Sequence, residues 1–424
     1  MIASLWMIIG LIALLVWGVP VAMALGVVGI VGILANNPAY LLGVGHAVWN
    51  TVDNYVLLSV PLFVLMGELF QRSNLAMKFY RAACLWISWL PGGLLHSNIL
   101  ACSVFAAVSG SSVATAATIG SIAIPEMERQ GYTRRKVLGS LAAGGTLGIL
   151  IPPSIPMILY GAIVEASVGK LFMAGIFPGI LLTLAFVIYI FFSNLRAGSY
   201  PKGDPFDLGA ALQSVGDLIP LAVLIVIVLG SIYLGIATAT EAAAVGVLGT
   251  LGLTVYYRSF SWAMLLESVK STTRFTAVIL FIVIGAQIFS YSMFNWGATD
   301  EIKDWVATLN AGPLVIVGGV LFVYLILGMF VDAISMMVLT LAFTHPLVLA
   351  SGYDTIWFGV VLVITLEIGL ITPPVGLNLF TIQSVAAKGV KVSEIAAGAF
   401  PYVLIMIGAL ALFTIFPQII TWPI

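Results

Sequence analysis

The stretches "GILIPPSIP" at Gly148 to Pro156 and "GLITPPVGL" at Gly369 to Leu377 decide the fold of this chain. Each pair of prolines lies inside a long apolar run. A proline removes a helix hydrogen-bond donor and clashes with the preceding turn, so neither run can form one continuous helix through its middle. The sequence therefore predicts two apolar segments that are both interrupted at the centre.

The composition places these segments in a membrane. Of the 424 residues, 61% are hydrophobic and 8% are charged, whereas about a quarter of the residues in an ordinary soluble domain are charged. Around ten runs have the length of about 20 apolar residues that crosses a bilayer core. The first run lacks a basic leader, and we expect it to be a retained span. These features predict an all-α polytopic membrane protein.

An internal repeat relates the two interrupted segments. One constant shift along the chain superimposes three features: Pro125 on Pro346, Gly131-Tyr132 on Gly352-Tyr353, and Gly148 on Gly369. After a small further slip, "AGIFP" at 174–178 also matches "AGAFP" at 397–401. A duplication is the simplest explanation of this pattern.

The repeat divides the chain into two similar halves. Repeat one is expected over 1–195 and repeat two over 219–424, with a polar connector at 196–218. Folded hairpins are expected at about 94–130 and 313–350, and broken helices at about 136–165 and 354–387. The other expected spans are 3–18, 20–35, 54–71, 172–195, 219–236, 241–257, 275–296 and 395–420, with amphipathic stretches at 72–90 and 297–312.

The lysines and arginines predict the relative orientation of the halves. If each hairpin re-enters on its own side, half one crosses five times and half two is inverted. This topology puts 14 of the 16 basic residues on one side and leaves Lys170 and Lys303 on the other. Such a bias is expected of cytoplasmic loops. We therefore expect hairpin one to enter from the cytoplasm and hairpin two from outside.

Broken helices in inverted repeats are typical of secondary transporters, because related halves can present one site to either side. Irregular backbone is tolerated at bilayer depth only where it is buried in protein or lines a polar cavity. Half-helix C-termini and free carbonyls suit a cation, and half-helix N-termini suit an anion. The interruptions therefore predict a site for ions and substrate.

The expected hairpin tips supply matching chemistry, with "VSGSSVATAATIG" from Val108 and "GMFVDAISMM" from Gly328. An acid at bilayer depth is costly, so Asp332 is a functional candidate. We predict two sodium sites, one in each half, with the substrate between them and no other metal or cofactor. The candidate residues are Ser109, Gly110, Ser111, Gly144 and Thr146 for the first sodium site; Gly328, Asp332, Glu367 and Thr372 for the second; and Ser112, Thr115, Pro153, Ser154, Pro374 and Asn378 for the substrate.

Other interpretations stay open for single residues. Serines and glycines in membrane helices often serve only close helix packing. Asp332 could hold a structural hydrogen bond, and the neighbouring backbone could hold Glu241 and Glu367. Glu68 lies near a span end, where a scaffold role is expected.

At these residues the chain resembles the large membrane subunit of tripartite ATP-independent periplasmic (TRAP) transporters. The matching phrases are "SGSSVATAATIG", "TEAAAVGV", "GILIPPSIPMILYG" and "LEIGLITPPVGLNLF", spread over roughly 60–401. The resemblance implies a sodium-driven importer of organic acids in the bacterial inner membrane, working by an elevator motion. It also implies that the partners are a small four-helix membrane subunit and a periplasmic substrate-binding protein, and that nucleic acid is not a partner.

The resemblance implies a substrate class that includes dicarboxylates and sialic acid, and we favour sialic acid. Two departures from the family pattern, Ala333 after the hairpin acid and "THP" at Thr344 to Pro346, bear on the substrate rather than on the mechanism.

Three other classes of protein are less well supported. An ATP-driven pump needs a phosphate-binding loop of the form G-x-x-x-x-G-K-[ST], and the chain has none. An intramembrane hydrolase with Ser111 and His96 or His345 would lack the usual G-x-S-x-G or H-E-x-x-H motif, so we expect no enzyme. The main alternative is a self-sufficient sodium/anion symporter of related inverted-hairpin fold.

Overall fold

The computed structural model of the protein describes residues 2–73, 75–197, 207–298, 300–301, 304, 308 and 311–424. Every regular element among these residues is a helix. The helices of the first half are α1 (Ile2–Val16), α2 (Val21–Asn36), α3 (Leu41–Val52), α4 (Ser59–Arg72), α5 (Leu75–Ile87), α6 (Leu94–Ser109), α7 (Ser112–Arg129), α8 (Arg134–Leu150), α9 (Ile155–Val164) and α10 (Val168–Ala197). Those that follow are α11 (Leu208–Tyr233), α12 (Ala239–Tyr256), α13 (Trp262–Asn295), α14 (Pro313–Gly328), α15 (Ala333–Ala350), α16 (Thr355–Leu370), α17 (Leu377–Val385), α18 (Val392–Ile415) and α19 (Gln418–Thr421).

The helix order repeats, and the prediction of an all-α polytopic fold with two inverted repeats is confirmed. Helices α6 and α7 form hairpin one, and α14 and α15 form hairpin two. Helices α8 and α9 are the halves of broken helix one, and α16 and α17 are the halves of broken helix two. The shift that superimposes Pro125 on Pro346 also carries Ser112, the first residue of α7, onto Ala333, the first residue of α15.

The hairpins pack across the two repeats. The first helix of each hairpin lies on the first half of its own broken helix, as α6 does on α8 and α14 on α16. The second helix of each hairpin contacts the second half of the other broken helix, as α7 does on α17 and α15 on α9. Both repeats therefore contribute to one central unit.

The remaining helices form a scaffold beside this unit. Helix α13 packs on α2, α3 and α4, and α12 packs on α4 and α11. Within the described residues, seven helical segments are long and apolar enough to cross a membrane. The interrupted segment 134–164 is the most deeply buried of them. The broken helix thus lies in the protein interior, where freed backbone groups can find partners.

The structure extends two helices beyond the expected spans. Helix α11 begins at Leu208, inside the expected connector 196–218, because the Asp207 carboxylate accepts hydrogen bonds from the Gly209 and Ala210 amides and caps the helix. Helix α13 begins at Trp262, ahead of the expected 275, where Ser261 caps it through the Met264 amide. The polar residues that were expected to lie outside the spans therefore form the N-terminal parts of these two helices.

Helix α3 was not among the expected spans. At 12 residues it is too short to cross a bilayer, and most of its side chains are exposed. Under the repeat shift, α3 and α4 correspond to the single helix α13. Of the other expectations, 198–206 of the connector, much of the stretch 297–312 and the basic residues Lys202 and Lys303 lie outside the described residues.

Helices α8 and α18 cross with their backbones in contact. A Cβ atom built on Gly139 would collide with the carbonyl group of Gly398. A Cβ atom on Gly398 would collide with the Arg135 carbonyl oxygen and lie 3.1 Å from the Gly139 Cα. Pro401 leaves the Ala397 carbonyl without its helical donor, and Arg135 Nη2 donates to that oxygen at 2.9 Å. This crossing joins broken helix one to the last long helix.

We predict that Gly398→Ala destabilises the protein, because the new methyl group meets backbone atoms that no rotamer change can move. Overpacking of this kind costs about 1–3 kcal/mol. Thermal unfolding of the purified protein in detergent measures the effect.

Gly408→Ala is the matched control, since it lies in the same helix and nothing lies within 4 Å of its added Cβ. Alanine is the better helix former by up to about 1 kcal/mol, so this variant should be as stable as the wild type or more so. Equal unfolding temperatures for the two variants would contradict the close crossing.

Candidate functional site

The tip of hairpin one is a two-residue turn held in place by its own hydroxyl groups. Helix α6 ends at Ser109, and its C-cap residue Gly110 has a φ of +58°, which suits glycine. Ser111 then caps α7 by accepting from the Ala114 amide at 3.4 Å. Inside the turn, Ser109 Oγ and Thr115 Oγ1 are 2.8 Å apart, and Thr115 donates to the Ser111 carbonyl. The tip is therefore ordered by its own residues.

This tip docks on the interruption of broken helix one. The Ile155 amide donates to the Gly110 carbonyl at 3.4 Å. A Cβ atom on Gly110 would come within 2.8 Å of the Pro153 carbonyl oxygen, and one on Gly148 would come within 2.8 Å of the Ser111 carbonyl oxygen. Glycine is thus required on both sides of the contact.

The tip of hairpin two docks on broken helix two in a similar way. The Val375 amide donates to the Met329 carbonyl at 3.1 Å. Gly328 and Gly369 approach so closely that a Cβ atom on Gly369 would lie 2.6 Å from the Gly328 Cα. Asp332 caps α15 by accepting from the Ser335 amide at 2.9 Å, the same position that Ser111 occupies at the start of α7. The structural hydrogen bond considered for Asp332 is therefore present.

A cavity of about 460 Å³ brings the two tips together against the scaffold. Five of the predicted site residues line it: Ser109, Gly110, Ser111, Ser112 and Asp332. Helices α4 and α13 form the opposite wall. Ile149, Ile155, Leu370 and Leu377 line it from the two broken helices. One cavity therefore contacts both hairpins, the helix ends that flank both interruptions, and the scaffold.

A hydrogen bond joins the two repeats at the edge of this cavity. The Ser112 hydroxyl of hairpin one donates to Glu367 Oε1 of broken helix two. Glu367 is fully buried, and its Oε2 has no hydrogen-bond partner among the described residues. The sequence grouped Glu367 with Asp332, whereas the structure joins it to hairpin one.

Asn378 is a second fully buried polar side chain near hairpin one. Neither its Oδ1 nor its Nδ2 has a hydrogen-bond partner among the described residues. Its Nδ2 would lie 3.4 Å from a Cβ atom on Gly145, which also faces Ala116 of α7. A buried polar atom left unpaired costs about 1–3 kcal/mol. Glu367 and Asn378 thus present unused ligand atoms inside the protein.

The structure places several other predicted site residues away from the cavity. The hydroxyl groups of Thr146 and Thr372 donate to backbone carbonyls of their own helical segments. Ser154 caps α9 through the Met157 amide. Gly144 faces Cys102 of α6. The two interruptions also differ in exposure, since Pro153 is buried and Pro374 is exposed.

The scaffold wall contains a polar group that sequence reasoning assigned only a scaffold role. Glu68 lines the cavity with Gln71 and Ser271. Its carboxylate pairs with Arg72 at 2.9 Å and accepts from the Ser271 hydroxyl at 2.7 Å. The sequence feature that could have indicated this polar group is the i, i+4 spacing of Glu68 and Arg72, which places an acid and a base on one face of the helix.

The oxygen atoms at the two hairpin tips suit a cation that is held mainly by neutral oxygens. Among the described residues there is no group of three or more His, Cys, Asp or Glu side chains. The tip of hairpin one instead has hydroxyl and carbonyl groups, and the tip of hairpin two has carbonyl groups and the Asp332 carboxylate. In secondary transporters with broken helices, unwound carbonyls and half-helix C-terminal ends coordinate sodium.

Comparisons with known proteins agree with this architecture. Residues 8–419 match the family described as "Tripartite ATP-independent periplasmic transporter, DctM component". The C4-dicarboxylate TRAP transporter large permease protein DctM of Pseudomonas aeruginosa is 35% identical over 397 residues, covering 93% of this chain and 92% of the relative. The sialic acid TRAP transporter large permease protein SiaM of Vibrio cholerae is 31% identical over 416 residues, covering 97% and 96%.

A solved structure shares the fold at low sequence identity. The YdaH transporter of Alcanivorax borkumensis superimposes with a TM-score of 0.67 at 12% identity, covering 98% of this chain and 99% of that one. The relatives are named as permeases, so this chain is a multi-pass membrane transport protein and not an enzyme. It belongs to the DctM component family of tripartite ATP-independent periplasmic transporters and is a TRAP large permease.

Proposed function

We propose that the chain is the membrane permease of a sodium-coupled importer of an organic acid. The observation that carries this proposal is the shared cavity, in which both hairpin tips meet both helix interruptions and the scaffold. A site built from two inverted halves can be exposed to either side of the membrane by a movement of the halves. That geometry supports transport by alternating access.

Two sodium sites are proposed at the docked tips. The first uses oxygens of Ser109, Gly110 and Ser111, and the second uses Asp332 and the backbone near Gly328. Gly144, Thr146 and Thr372 lie on the broken helices, where Gly144 faces Cys102 and the two threonines donate to backbone carbonyls. Glu367 and Asn378 supply buried oxygens between the repeats.

The substrate is proposed to bind between the tips, near Ser112 and the start of α7. Among the described residues that line the cavity there is no Lys or Arg, whereas Glu68 and Asp332 are present. A substrate with one carboxylate and several hydroxyl groups therefore suits the walls better than a dianion does, which favours the sialic-acid class. The C4-dicarboxylate class is the second candidate, because the relative with 35% identity is named for it.

The energetics favour at least two sodium ions in each cycle. Concentrating a solute 100-fold costs about 2.7 kcal/mol. One net charge that crosses 100 mV supplies about 2.3 kcal/mol. A monoanion with one sodium ion is neutral and gains nothing from the potential, whereas two sodium ions carry one net positive charge inward.

The proposed mechanism is an elevator motion in the bacterial inner membrane. The hairpins and broken helices, α6–α9 and α14–α17, move as a unit past a scaffold that includes α2, α4, α12 and α13. A small four-helix membrane subunit completes the scaffold, and a periplasmic binding protein delivers the substrate. In this account the two repeats extend over 1–195 and 219–424.

A transport assay with purified components tests the function. Proteoliposomes that contain this chain, the small subunit and the binding protein should take up labelled sialic acid only with an inward sodium gradient. Excess unlabelled sialic acid should compete better than succinate. Uptake by the chain alone would support the self-sufficient symporter instead.

We predict that Asp332→Asn abolishes sodium-dependent uptake without unfolding the protein. Asparagine keeps the cap on the Ser335 amide, since it is as good an N-cap as aspartate, but it removes the charge that would attract sodium. Uptake against sodium concentration and thermal unfolding in detergent are the two measurements.

Asp354→Asn is the control for this experiment. Asp354 caps α16 through the Ile356 and Trp357 amides, does not line the cavity, and should tolerate the change with normal uptake. Wild-type sodium dependence in Asp332→Asn would remove Asp332 from the sodium site.

We also predict that Glu367→Gln raises the sodium concentration for half-maximal uptake by about tenfold or more, the equivalent of about 1.4 kcal/mol. The amide has nearly the same shape, and its oxygen can still accept from the Ser112 hydroxyl, but an NH2 group replaces the second, unpaired oxygen that could bind a cation. Glu394→Gln, in the first turn of α18 and away from the cavity, is the control. An unchanged sodium dependence in Glu367→Gln would leave that carboxyl group with a packing role alone.

A further inference from the structure

A second polar cavity lies far from the hairpin tips, where three helix ends meet. It has a volume of about 280 Å³ and lies between the start of α8, the end of α10 and the start of α18. Its polar lining comes mainly from Thr133, Arg135, Lys136, Tyr189, Asn194 and Tyr402. None of the hairpin-tip residues lines it. The transport site therefore does not account for this cavity.

Among the described residues, the lining carries two positive charges and no negative one. Arg135 and Lys136 are its charged residues. Each donates to a neutral oxygen, Arg135 Nη2 to the Ala397 carbonyl at 2.9 Å and Lys136 Nζ to Asn194 Oδ1 at 2.8 Å. A guanidinium group has five N–H donors and an ammonium group three, so both keep donors for a ligand.

Arg134, which precedes Arg135 and Lys136 in the chain, has a different environment from theirs. Arg134 does not line the cavity, and its Nε pairs with Glu128 Oε1 at 3.2 Å. Arg134 is thus paired with an acid, whereas no acid is among the described residues that line the cavity beside Arg135 and Lys136. The positive charge at the start of α8 is directed into the cavity.

The backbone of α8 adds to this positive potential. Thr133 is the N-cap residue, and its side chain makes no capping hydrogen bond. The amide groups of the first helical turn and the helix dipole favour an anion at this end. Two cations and a helix N-terminus around one cavity suit a phosphate group.

The rest of the cavity is aromatic and apolar and borders the lipid-facing surface. Tyr189 and Tyr402 meet edge to face with ring centroids 5.1 Å apart. Phe192 and Phe400, next to lining residues in the chain, are more than half exposed. An acyl chain can lie along such a surface while a polar group enters the cavity.

We propose that this cavity binds the phosphate group of an anionic phospholipid from the cytoplasmic leaflet. The phosphodiester lies between Arg135 and Lys136 at the start of α8, and the two tyrosines flank the glycerol. Basic pockets between helices on the cytoplasmic side are suited to such headgroups. The leaflet follows from the side on which most basic residues are expected. A bound lipid would join α8 to α10 and α18 and stabilise the interrupted helix.

Lipid binding to the purified protein tests this proposal without any transport measurement. Phosphatidylglycerol, phosphatidylcholine or inorganic phosphate is added in detergent, and bound lipid is counted by native mass spectrometry alongside thermal unfolding. We expect phosphatidylglycerol to bind and to raise the unfolding temperature, with little effect from phosphatidylcholine or inorganic phosphate. Stabilisation by inorganic phosphate equal to that by phosphatidylglycerol would overturn the assignment to a lipid.

Variants of the two neighbouring cations locate the site. Lys136→Gln should weaken phosphatidylglycerol binding by about fivefold, the value of one cation near an anionic headgroup. It can still donate to Asn194, so its unfolding temperature without lipid should stay close to that of the wild type. Lys136→Arg should restore binding.

Arg134→Gln is the matched control, because it removes the same charge from a nearby position in the same helical turn without touching the cavity. It should bind phosphatidylglycerol as the wild type does. Equal weakening in Arg134→Gln and Lys136→Gln would mean general surface attraction and would overturn the proposed site. Equal binding of phosphatidylglycerol and phosphatidylcholine by the wild type would also overturn the proposed site.

Discussion

A helix that is interrupted within a bilayer must find partners for its freed peptide groups inside the protein, because lipid offers none. Here the hairpin tips supply them. The Ile155 amide after the first interruption donates to the Gly110 carbonyl of hairpin one, and the Val375 amide donates to the Met329 carbonyl of hairpin two. The remaining architecture follows from these contacts, since each tip must reach the centre of the protein beside an interruption. Glycines at the contacts let the backbones approach closely.

The two repeats share the order of hairpin and broken helix but differ in chemistry. The start of α7 is capped by Ser111 and the equivalent start of α15 by Asp332. Under the same repeat shift, Glu367 takes the place of Thr146. Repeat two therefore contributes carboxylates where repeat one contributes hydroxyl groups. This difference allows a symmetrical framework to hold an asymmetrical site, with Glu367 of one half bonded to Ser112 of the other.

The sequence predicted the framework more completely than the site. The paired prolines and the internal repeat were enough to predict both hairpins and both broken helices, because these features depend on local backbone rules. The same reasoning paired Glu367 with Asp332, since it assigned one sodium site to each half and both residues lie in the second half. That reasoning could not show that the second helix of each hairpin packs on the broken helix of the other half. The role of Glu68 on the cavity wall also depends on tertiary packing, because its partner Ser271 is distant in the chain.

The central claim is that ions and substrate occupy the cavity between the hairpin tips and the scaffold. Val113 lines this cavity and is exposed, so a cysteine at Val113→Cys, in a chain whose Cys84 and Cys102 are replaced by serine, reports on it directly. The rate of its reaction with a water-soluble thiol reagent should fall several-fold when sodium and substrate are both present. A rate that neither sodium nor substrate changes would contradict the account.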